Sequence, residues 1–411
     1  MTDLRVQPAP LAVDVAILGA GLSGGLCVLA IAEHAPQMRV ALVEQGAGLA
    51  GNHTWCCHGS DLAMSAGHAV GAWFRPLVQH RWTQYKVAFP DFARTMDGDY
   101  LCIPAESLQR EVAGAMARPG SHLLLGERVQ SATSHDVLLE SGRSLQAKLV
   151  IDARGSHAPK GACGFQKFLG WEIETDEAAP MLGRVPTLMD ARVQQLDGYR
   201  FVYVLPMSST RFLVEDTYFS RDAVLDRETV SDRLRKYLAG RAVQRYEIVR
   251  EESGVLPMPW SAGSDGDESD SEPVAIGYRA GLFHPATGYS LAMAVKTADR
   301  IARSIGMSKF EALHALASQD VVDLRAELAT NLRFARALNF LAFRAIPGSW
   351  LRSLVFSAVY RLPPDLLQRF YAAKTNPRDR LALLAAVARV RVRLPRPRLE
   401  LTTTHLNGET P

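Results

Sequence analysis

The stretch DVAILGAGLSGGLCVLAIAEHAP (14–36) determines the class of fold that we expect for this chain. An apolar strand leads into a turn of glycines, and a helix rich in Leu and Ala follows at once. Gly19 allows the tight turn, Gly21 lets the backbone approach a pyrophosphate, and Gly24 permits close packing of the helix on the strand. A second strand, RVALVEQ, carries Glu44 at its end, where a carboxylate can bind ribose hydroxyls. The pattern predicts a sheet that binds a dinucleotide at a helix N-terminus.

Two later segments extend this pattern. KLVIDARGSHAP (148–159) is an apolar strand that ends in an acid, and PVAIGYRAGLFHPATGYSLAMAVKTADRIARSI (273–305) is a strand, a glycine loop and a helix. This layout exceeds what a nicotinamide dehydrogenase needs, and it resembles flavoprotein monooxygenases and their relatives, in which FAD lies extended across the domain. The residues at these turns that we predict to contact FAD are Asp152, Gly277, Pro285 and Gly288.

Composition excludes several classes of protein. The chain has 411 residues, 47% hydrophobic and 22% charged, which is typical of a globular protein with two or three domains or with one large core and insertions. Its five cysteines are odd in number and lack CxxC spacing, so we expect neither a disulfide framework nor a structural zinc site, and a reducing cytosol fits. The N-terminal residues show no signal-peptide pattern.

The positive charge is concentrated at the C-terminal end. Residues 331–411 contain fourteen Lys or Arg and four Asp or Glu, so the net charge of this segment is about +10. The net charge of the whole chain is only +3, so the preceding residues together carry about −7. Within it, 338–362 is apolar but interrupted by Arg344, Pro347 and Arg352, whereas a spanning helix needs about 20 apolar residues. This segment suits a helix lying on a membrane surface. The alternative is a helical pair packed on the main body; without a recognised module, nucleic-acid binding is not expected.

The stretch GYRFVYVLPMSSTRFLVEDTYF (198–219) predicts a hairpin with its turn at 207–210. Its second strand contains two adjacent acids, Glu215 and Asp216, whose side chains must point to opposite faces. Only one of them can face a cavity. The alternative is an edge strand with one solvated face, because charged residues are rarely buried without a partner.

We therefore predict an α/β protein, with a Rossmann-like, three-layer FAD-binding domain, an inserted substrate-binding β-sheet domain and a C-terminal helical region. The predicted boundaries are 1–70, 100–165 and 272–310 for the FAD-binding domain, 71–99 and 166–260 for the substrate-binding sheet, 261–271 for a mobile acidic loop, 311–395 for the basic amphipathic helical region, and 396–411 for a tail.

Several motifs together resemble the flavin-dependent lycopene cyclase family of carotenoid biosynthesis, and in particular its bacterial β-cyclases. Besides the glycine turn, they are GNHTW (51–55), GFQKFLGWE (164–172), GYRFVYVLP (198–206), VEDT (214–217), RAGLFHPATGYS (279–290) and RFYAAK (369–374). The resemblance implies an isomerase that converts linear lycopene to β-carotene through γ-carotene. It also implies reduced FAD as cofactor, NAD(P)H as the flavin reductant, no net redox change, and a peripheral position on the cytoplasmic side of the membrane.

The resemblance also suggests roles for single residues. Glu215 matches the first acid of the family's essential acidic motif, so we expect it to donate the proton or to stabilise the cation, with Asp216 bracing it. An alkene is a very weak base, and a carboxyl in an apolar tunnel can stay protonated because burial raises its pKa. Whether the carboxyl acts as an acid, or the carboxylate or reduced flavin stabilises the cation, stays open at this point.

Other candidates are weighed in the same way. His53 and Trp55 are expected to line the flavin, the alternative being a packed loop, and a metal site is not expected because adjacent Cys56 and Cys57 chelate poorly. The residues expected in a substrate tunnel, with core packing or a solvated face as the alternative, are Trp171, Glu172, Phe201, Tyr203 and Phe212.

Two other functions fit the same cofactor motifs. The first is a flavin-dependent hydroxylase, epoxidase or prenyl reductase acting on a lipophilic isoprenoid, which would consume one NAD(P)H per turnover. The second is a membrane-attached flavoprotein without enzymatic activity that acts as a scaffold for other carotenoid enzymes. That function would leave Glu215 unexplained.

Overall fold

The computed structural model describes residues 9–66, 72–155, 162–196, 198–261, 270–308, 312–346 and 348–392 of the chain. Most of the predicted acidic loop (262–269), Pro347 and the predicted tail lie outside the described residues. The strands of the described ranges are β1 (Leu11–Leu18), β2 (Val40–Glu44), β3 (Thr54–His58), β4 (His80–Phe89), β5 (Phe92–Pro104), β6 (His122–Leu125), β7 (Val129–Ala132), β8 (Asp136–Leu139), β9 (Ser144–Asp152), β10 (Cys163–Thr175), β11 (Thr187–Asp190), β12 (Arg200–Pro206), β13 (Arg211–Ser220), β14 (Tyr246–Pro259) and β15 (Val274–Ala275). The helices are α1 (Leu22–His34), α2 (Gly59–Ala66), α3 (Ala105–Met116), α4 (Arg227–Ala239), α5 (Leu291–Met307), α6 (Leu313–Phe340), α7 (Ser349–Tyr360), α8 (Pro364–Tyr371) and α9 (Pro377–Val392).

The first sheet has the strand order β6-β2-β1-β9-β8-β7, and β15 also pairs with β9. The pairs that join β1, β2, β6, β9 and β15 are parallel, while β7 and β8 pair antiparallel. Parallel strands bring their carboxyl ends to one edge of the sheet, so the turn after Leu18 lies beside Glu44 and Asp152. The predicted Rossmann-like sheet is confirmed.

Two apolar layers cover the two faces of this sheet. The helices α1, α3 and α5 bury one face, in a core that contains Ile17, Leu26 and Ile301. The other face contributes Val13, Leu18 and Val43 to a second apolar core, which also contains Val137 and Leu139 of β8. β8 extends the same sheet through its pairing with β9. The α/β fold that we predicted for this domain is confirmed.

The glycine turn is shaped by close backbone contacts. The N–H group of Gly19 donates to the carbonyl of Val43 at 2.7 Å, and Gly19 has a φ of +96°, a conformation that favours glycine. A Cβ atom on Gly24 would lie 1.9 Å from the carbonyl oxygen of Gly19. Gly24 therefore permits the close packing of helix on strand that we predicted.

The second sheet has eight strands in the order β14-β10-β13-β12-β11-β4-β5-β3. Neighbouring strands are antiparallel, except that β11 and β4 are parallel. The predicted hairpin is formed by β12 and β13, with Met207 donating to the carbonyl of Arg211 at 2.9 Å. Because β13 lies between β10 and β12, the alternative of a solvated edge strand is wrong.

The sheet also shifts the predicted domain boundaries. β3 pairs with β5 along its whole length, from Thr54 with Pro104 to His58 with Tyr100, so it belongs to the second sheet. The sequence instead predicts residues 54–58 and 100–104 as part of the FAD-binding domain. The prediction differs from the structure because residues 54–58 pair with residues that lie more than forty positions later in the chain. Such pairing depends on tertiary structure, and the short strand TWCCH alone does not reveal its partner.

Helices cover both faces of the second sheet. On one face α4 buries Val230, Leu234 and Leu238 against the strands. On the other face α7, α8 and α9 pack against a core that includes Phe201 and Phe219. In the described part of the chain, no helix is both long and apolar enough to cross a membrane.

Candidate active site

A cavity of about 1140 Å³ lies between the glycine turn, the second sheet and the C-terminal helices. Its two ends differ in chemistry. One end is bordered by Gly21, Glu44 and Arg154. The other end is lined by aromatic and aliphatic side chains, namely Phe201, Tyr203, Phe219, Leu338, Phe356, Tyr360, Phe370 and Tyr371, and Glu215 also borders the cavity.

Backbone groups hold Glu44 at the polar end. The N–H of Ala20 donates to one carboxylate oxygen and the N–H of Gly46 to the other, each at 2.8 Å. A Cβ atom on Gly21 would meet no atom within 4 Å, so the space beside this residue is open. Because α1 begins directly after Gly21, its free N–H groups lie where they can bind a phosphate. The chain's own residues therefore fit a dinucleotide at this end.

The remaining predicted cofactor residues divide into two groups. Gly288 borders the cavity, with φ +71°, and its carbonyl accepts from the hydroxyl of Tyr278 at 2.6 Å. Asp152, Gly277 and Pro285 are not among the lining residues. Asp152 instead accepts from Arg154 Nε at 2.9 Å, so it orients a side chain that does border the cavity.

Gly277 and Pro285 support the loop before α5. A Cβ atom on Gly277 would lie 2.3 Å from Ser23 Oγ, and the residue has φ +61°. The carbonyl of Pro285 accepts from Asn339 Nδ2 at 2.7 Å, which ties this loop to α6. The sequence predicts that both residues contact the cofactor, but in the structure neither of them borders the cavity.

His53 and Trp55 border the cavity. Their ring centroids are 6.3 Å apart, and the His53 ring lies 6.4 Å from that of Phe168. Burial lowers the pKa of His53, and the positive charge of Arg250 lowers it further. His53 therefore borders the cavity as a neutral ring near pH 7.

A row of four residues crosses the cavity face of the second sheet. Tyr203 pairs with Glu215, Glu215 with Gly170, and Gly170 with Glu252, on the neighbouring strands β12, β13, β10 and β14. Directly paired residues point to the same face of a sheet. The row therefore presents a phenol, a carboxyl, a gap and a second carboxyl toward the cavity side.

Glu215 is the acid of this row that borders the cavity. Its Oε1 atom accepts from the hydroxyl of Thr217 at 2.5 Å, and among the described residues no ion pair joins it to a basic side chain. Burial raises the pKa of Glu215 to about 8, and the charge of Glu252 contributes to the rise. The carboxyl therefore holds a proton at neutral pH.

Asp216 points to the other face, as the alternation along the strand predicted. Its carboxylate accepts from Nε and Nη2 of Arg200 at 2.9 and 2.5 Å, and the residue is 0% exposed. Burial raises the pKa of Asp216, and the hydrogen bonds and charge of Arg200 oppose that rise. Asp216 therefore does not border the cavity, and its side chain is buried on the opposite face of the sheet.

Three of the predicted tunnel residues lie elsewhere. Trp171 and Phe212 are buried on the face covered by α4, and the indole N–H of Trp171 donates to Glu251 at 2.8 Å. Glu172 lies on the cavity face but is not among the lining residues, because it accepts from Arg211 at 2.6 Å and from Arg250 at 2.8 Å. For Trp171 and Phe212, the alternative of core packing is correct. Phe201 and Tyr203 do line the cavity.

Sequence reasoning missed several lining residues. Tyr100 joins two other tyrosines through its hydroxyl, which lies 2.9 Å from that of Tyr203 and 3.2 Å from that of Tyr289. Phe370 and Tyr371 close the apolar end from α8. The motif RFYAAK contains these last two residues, and that motif was the available signal for their role.

The sequence matches a known protein family over most of its length. The family model described as "Lycopene cyclase protein" matches residues 14–394. The chain is 37% identical over 377 residues to a lycopene beta-cyclase of Pantoea ananas, a match that covers 90% of this chain and 94% of that protein. It is 35% identical over 374 residues to a lycopene beta-cyclase of Paracoccus sp. strain N81106, covering 90% and 93%.

Among solved structures, a probable FAD-dependent monooxygenase from Pseudomonas aeruginosa has a similar fold. The TM-score is 0.56 and the sequence identity 16%, and the superposition covers 81% of this chain and 97% of that chain. At this level of identity the similarity concerns the fold alone.

Proposed function

Because the chain belongs to the lycopene cyclase family, we propose that it closes a β-ionone ring at each end of linear lycopene and so forms β-carotene by way of γ-carotene. The observation that carries this proposal is the position of Glu215. It is an acid with a pKa of about 8, and it borders a cavity whose other walls at that end are apolar and aromatic. Proton-initiated chemistry on a hydrocarbon needs such a group.

The reaction is an isomerisation, so protons and electrons balance within the substrate. The O–H bond of Glu215 breaks as its proton joins the terminal double bond, which leaves a tertiary carbocation. The internal double bond attacks that cation and closes the ring, and a proton lost from the ring returns to the carboxylate. Phe201 and Tyr203 lie in the same wall, where their ring faces can stabilise the cation.

The polar end of the cavity is proposed to hold FAD. Gly19 and Gly21 would contact the pyrophosphate, Glu44 the ribose, and the loop at Gly288 the flavin. When bound in its reduced form, FAD supplies an electron-rich ring that can stabilise developing positive charge. We propose NAD(P)H as the reductant that prepares it, with no consumption during ring closure.

The test is a cyclisation assay with lycopene in detergent micelles and anaerobically reduced FAD. We expect β-carotene to form over many turnovers without matching oxidation of NAD(P)H. Stoichiometric consumption of NAD(P)H with an oxygenated or saturated product would instead identify a hydroxylase, an epoxidase or a prenyl reductase. Unchanged lycopene in the presence of fully loaded protein would contradict the proposal.

We also propose that the chain attaches to the cytoplasmic surface of the membrane through its C-terminal helices. Phe340, Trp350 and Leu381 are 49%, 60% and 68% exposed, on α6, α7 and α9, which also line the apolar end of the cavity. Exposed arginines accompany them at Arg344 and Arg378. Apolar side chains and basic residues together favour an anionic lipid surface.

Vesicle sedimentation tests this attachment. We expect binding to anionic vesicles that weakens with salt, and weaker binding after Trp350→Ser. Val224→Ser is the matched control, because Val224 is 73% exposed but precedes α4, which covers the other face of the sheet. Equal loss of binding in both variants, or binding that ignores lipid charge, would contradict the proposal.

A further inference from the structure

We infer that Glu252 is a positioning residue, which keeps the Glu215 carboxyl protonated by holding a negative charge on the opposite side of Gly170. The inference rests on the proposed function, because a proton on Glu215 matters only when that proton is used. Glu252 itself does not border the cavity. Its effect on the reaction would therefore act through Glu215.

The first support is the gap at Gly170. This residue pairs with Glu215 on one side and with Glu252 on the other, so it lies directly between the two acids. A Cβ atom on Gly170 would lie 3.3 Å from Cγ of Glu252 and 3.4 Å from Cβ and Cγ of Glu215. Both side chains therefore lean over the glycine, and no side chain separates them.

The second support is the difference between their partners. Glu252 is 4% exposed and accepts from Arg250 Nη1 at 2.6 Å and from Thr54 Oγ1 at 2.9 Å. Glu215 accepts only from the hydroxyl of Thr217 among the bonds of the described residues. Two neighbouring carboxyls cannot both ionise easily. Burial raises the pKa of both, but the charge and hydrogen bonds of Arg250 oppose the rise only for Glu252, so Glu252 keeps the negative charge. The proton is therefore expected on Glu215.

The third support is that Arg250 cannot turn easily toward Glu215. Its Nε donates to Glu172 at 2.8 Å and its Nη2 to Thr54 at 2.7 Å, while its Nη1 binds Glu252. Glu172 is held in turn by Arg211 at 2.6 Å. These bonds fix the guanidinium beside Glu252, two residues along β14.

Other titratable groups surround Glu215, and their expected effects are smaller. Asp216 on the same strand raises the pKa of Glu215 less than Glu252 does, and it points to the other face toward Arg200. The remaining groups on the cavity side are Tyr203 of β12 and Glu172 of β10 with its two arginines. His53, Cys56 and Tyr100 also border the cavity.

The test measures the pKa of Glu215 directly, without turnover. Protein labelled with ¹³C at the glutamate side-chain carboxyl carbons is titrated by NMR, and Glu215→Gln identifies the signal. We expect that Glu252→Gln lowers the pKa of Glu215 from about 8 in the wild type. The expected decrease is about one unit or more. In the assay, the alkaline limit of kcat/KM should move to lower pH by the same amount.

Glu251→Gln is the matched control. It removes the same charge from the adjacent position, but Glu251 lies on the opposite face, where it binds Trp171 and Arg227. We expect the pKa of Glu215 to stay unchanged in this variant. An unchanged pKa in Glu252→Gln, or an equal decrease in both variants, would overturn the inference.

Two further variants keep the test decisive. Glu252→Asp retains the charge, so the pKa of Glu215 should stay closer to the wild-type value. If Glu252→Gln does not fold, the double variant Arg250→Gln and Glu252→Gln removes the ion pair as a whole, and the pKa of Glu215 should again decrease. A wild-type protein that titrates as expected but leaves lycopene unchanged would refute the proposed function and leave this inference intact.

Discussion

The two faces of β13 place nearly identical groups in opposite environments. On the cavity face, Glu215 has a hydroxyl as partner and a pKa of about 8. On the packed face, Asp216 has the guanidinium of Arg200 as partner, bound through two nitrogen atoms. The two residues are adjacent in sequence and differ by one methylene group. What separates them is whether a cation lies beside the carboxyl: on the packed face, Arg200 of the neighbouring strand β12 supplies one to Asp216.

This difference shows how one strand provides both a reactive and a structural acid. A buried carboxyl without a cation keeps its proton, because desolvation disfavours the charged form. A buried carboxyl with a cation forms a pair whose disruption leaves an uncompensated charge. The cavity face should therefore control activity, and the packed face should control stability.

Replacing Glu215 by Gln should give the largest effect. The change keeps the shape of the side chain and removes its proton, so ring closure should fall by about 10² to 10⁴-fold. Flavin content should stay near the wild-type value, and so should the free energy of unfolding below pH 4.5, where the wild-type carboxyl is protonated in both the folded and the unfolded state. Pigment analysis of flavin-loaded protein measures the loss. Near-normal β-carotene formation by this variant would remove Glu215 from the reaction.

Replacing Asp216 by Asn should act on the fold instead. Arg200, which is 4% exposed, would keep its charge without a carboxylate, which costs about 3 to 5 kcal/mol of unfolding free energy for a broken buried pair. Denaturant unfolding measures this loss, and the folded fraction should retain activity. The control is the double variant Arg200→Met and Asp216→Leu, which replaces both charges by apolar side chains. Its free energy of unfolding should be much closer to the wild-type value than that of Asp216→Asn. Full stability with no turnover in Asp216→Asn would reverse the assignment of the two faces.

The sequence predicted those parts of the fold and site that local patterns encode. The turn at Gly19, Gly21 and Gly24, the hairpin before Glu215 and the opposite orientation of Asp216 all follow from spacing within one or two strands. Each depends on the backbone geometry of neighbouring residues, which the residue types reveal.

The parts that were missed depend on pairing between distant segments. Glu252 lies opposite Gly170 only because β14 pairs with β10 in one particular register, which includes an irregularity near Glu172. Trp171 points away from the cavity for the same reason, since a shift of one residue would reverse its face. The helices that close the apolar end do not reveal in their sequence which sheet they cover, and α9 has almost no amphipathic pattern.

The pH dependence of stability tests the same comparison through the proton of Glu215. The pKa of Glu215 rises from an ordinary value of 4.5 to about 8 in the folded protein, so the folded state binds its proton more tightly than the unfolded state. Its stabilising contribution is complete below pH 4.5 and is lost as the pH rises through 8. Relative to Glu215→Gln, the wild type should lose at most about 1.4 kcal/mol per pH unit in this window. Parallel stability curves for both proteins would contradict the raised pKa.

The smallest expected effect tests the packed face at Trp171. Trp171→Phe keeps an aromatic ring in the core and removes the N–H that donates to Glu251 at 2.8 Å. We expect a loss of about 0.5 to 1.5 kcal/mol in the free energy of unfolding, which is typical of one hydrogen bond. The KM for lycopene should not change, because Trp171 does not line the cavity. Phe201→Leu is the comparison on the cavity face, where the loss of a ring should raise KM or lower kcat. A change in KM for Trp171→Phe equal to that of Phe201→Leu would return Trp171 to the substrate tunnel.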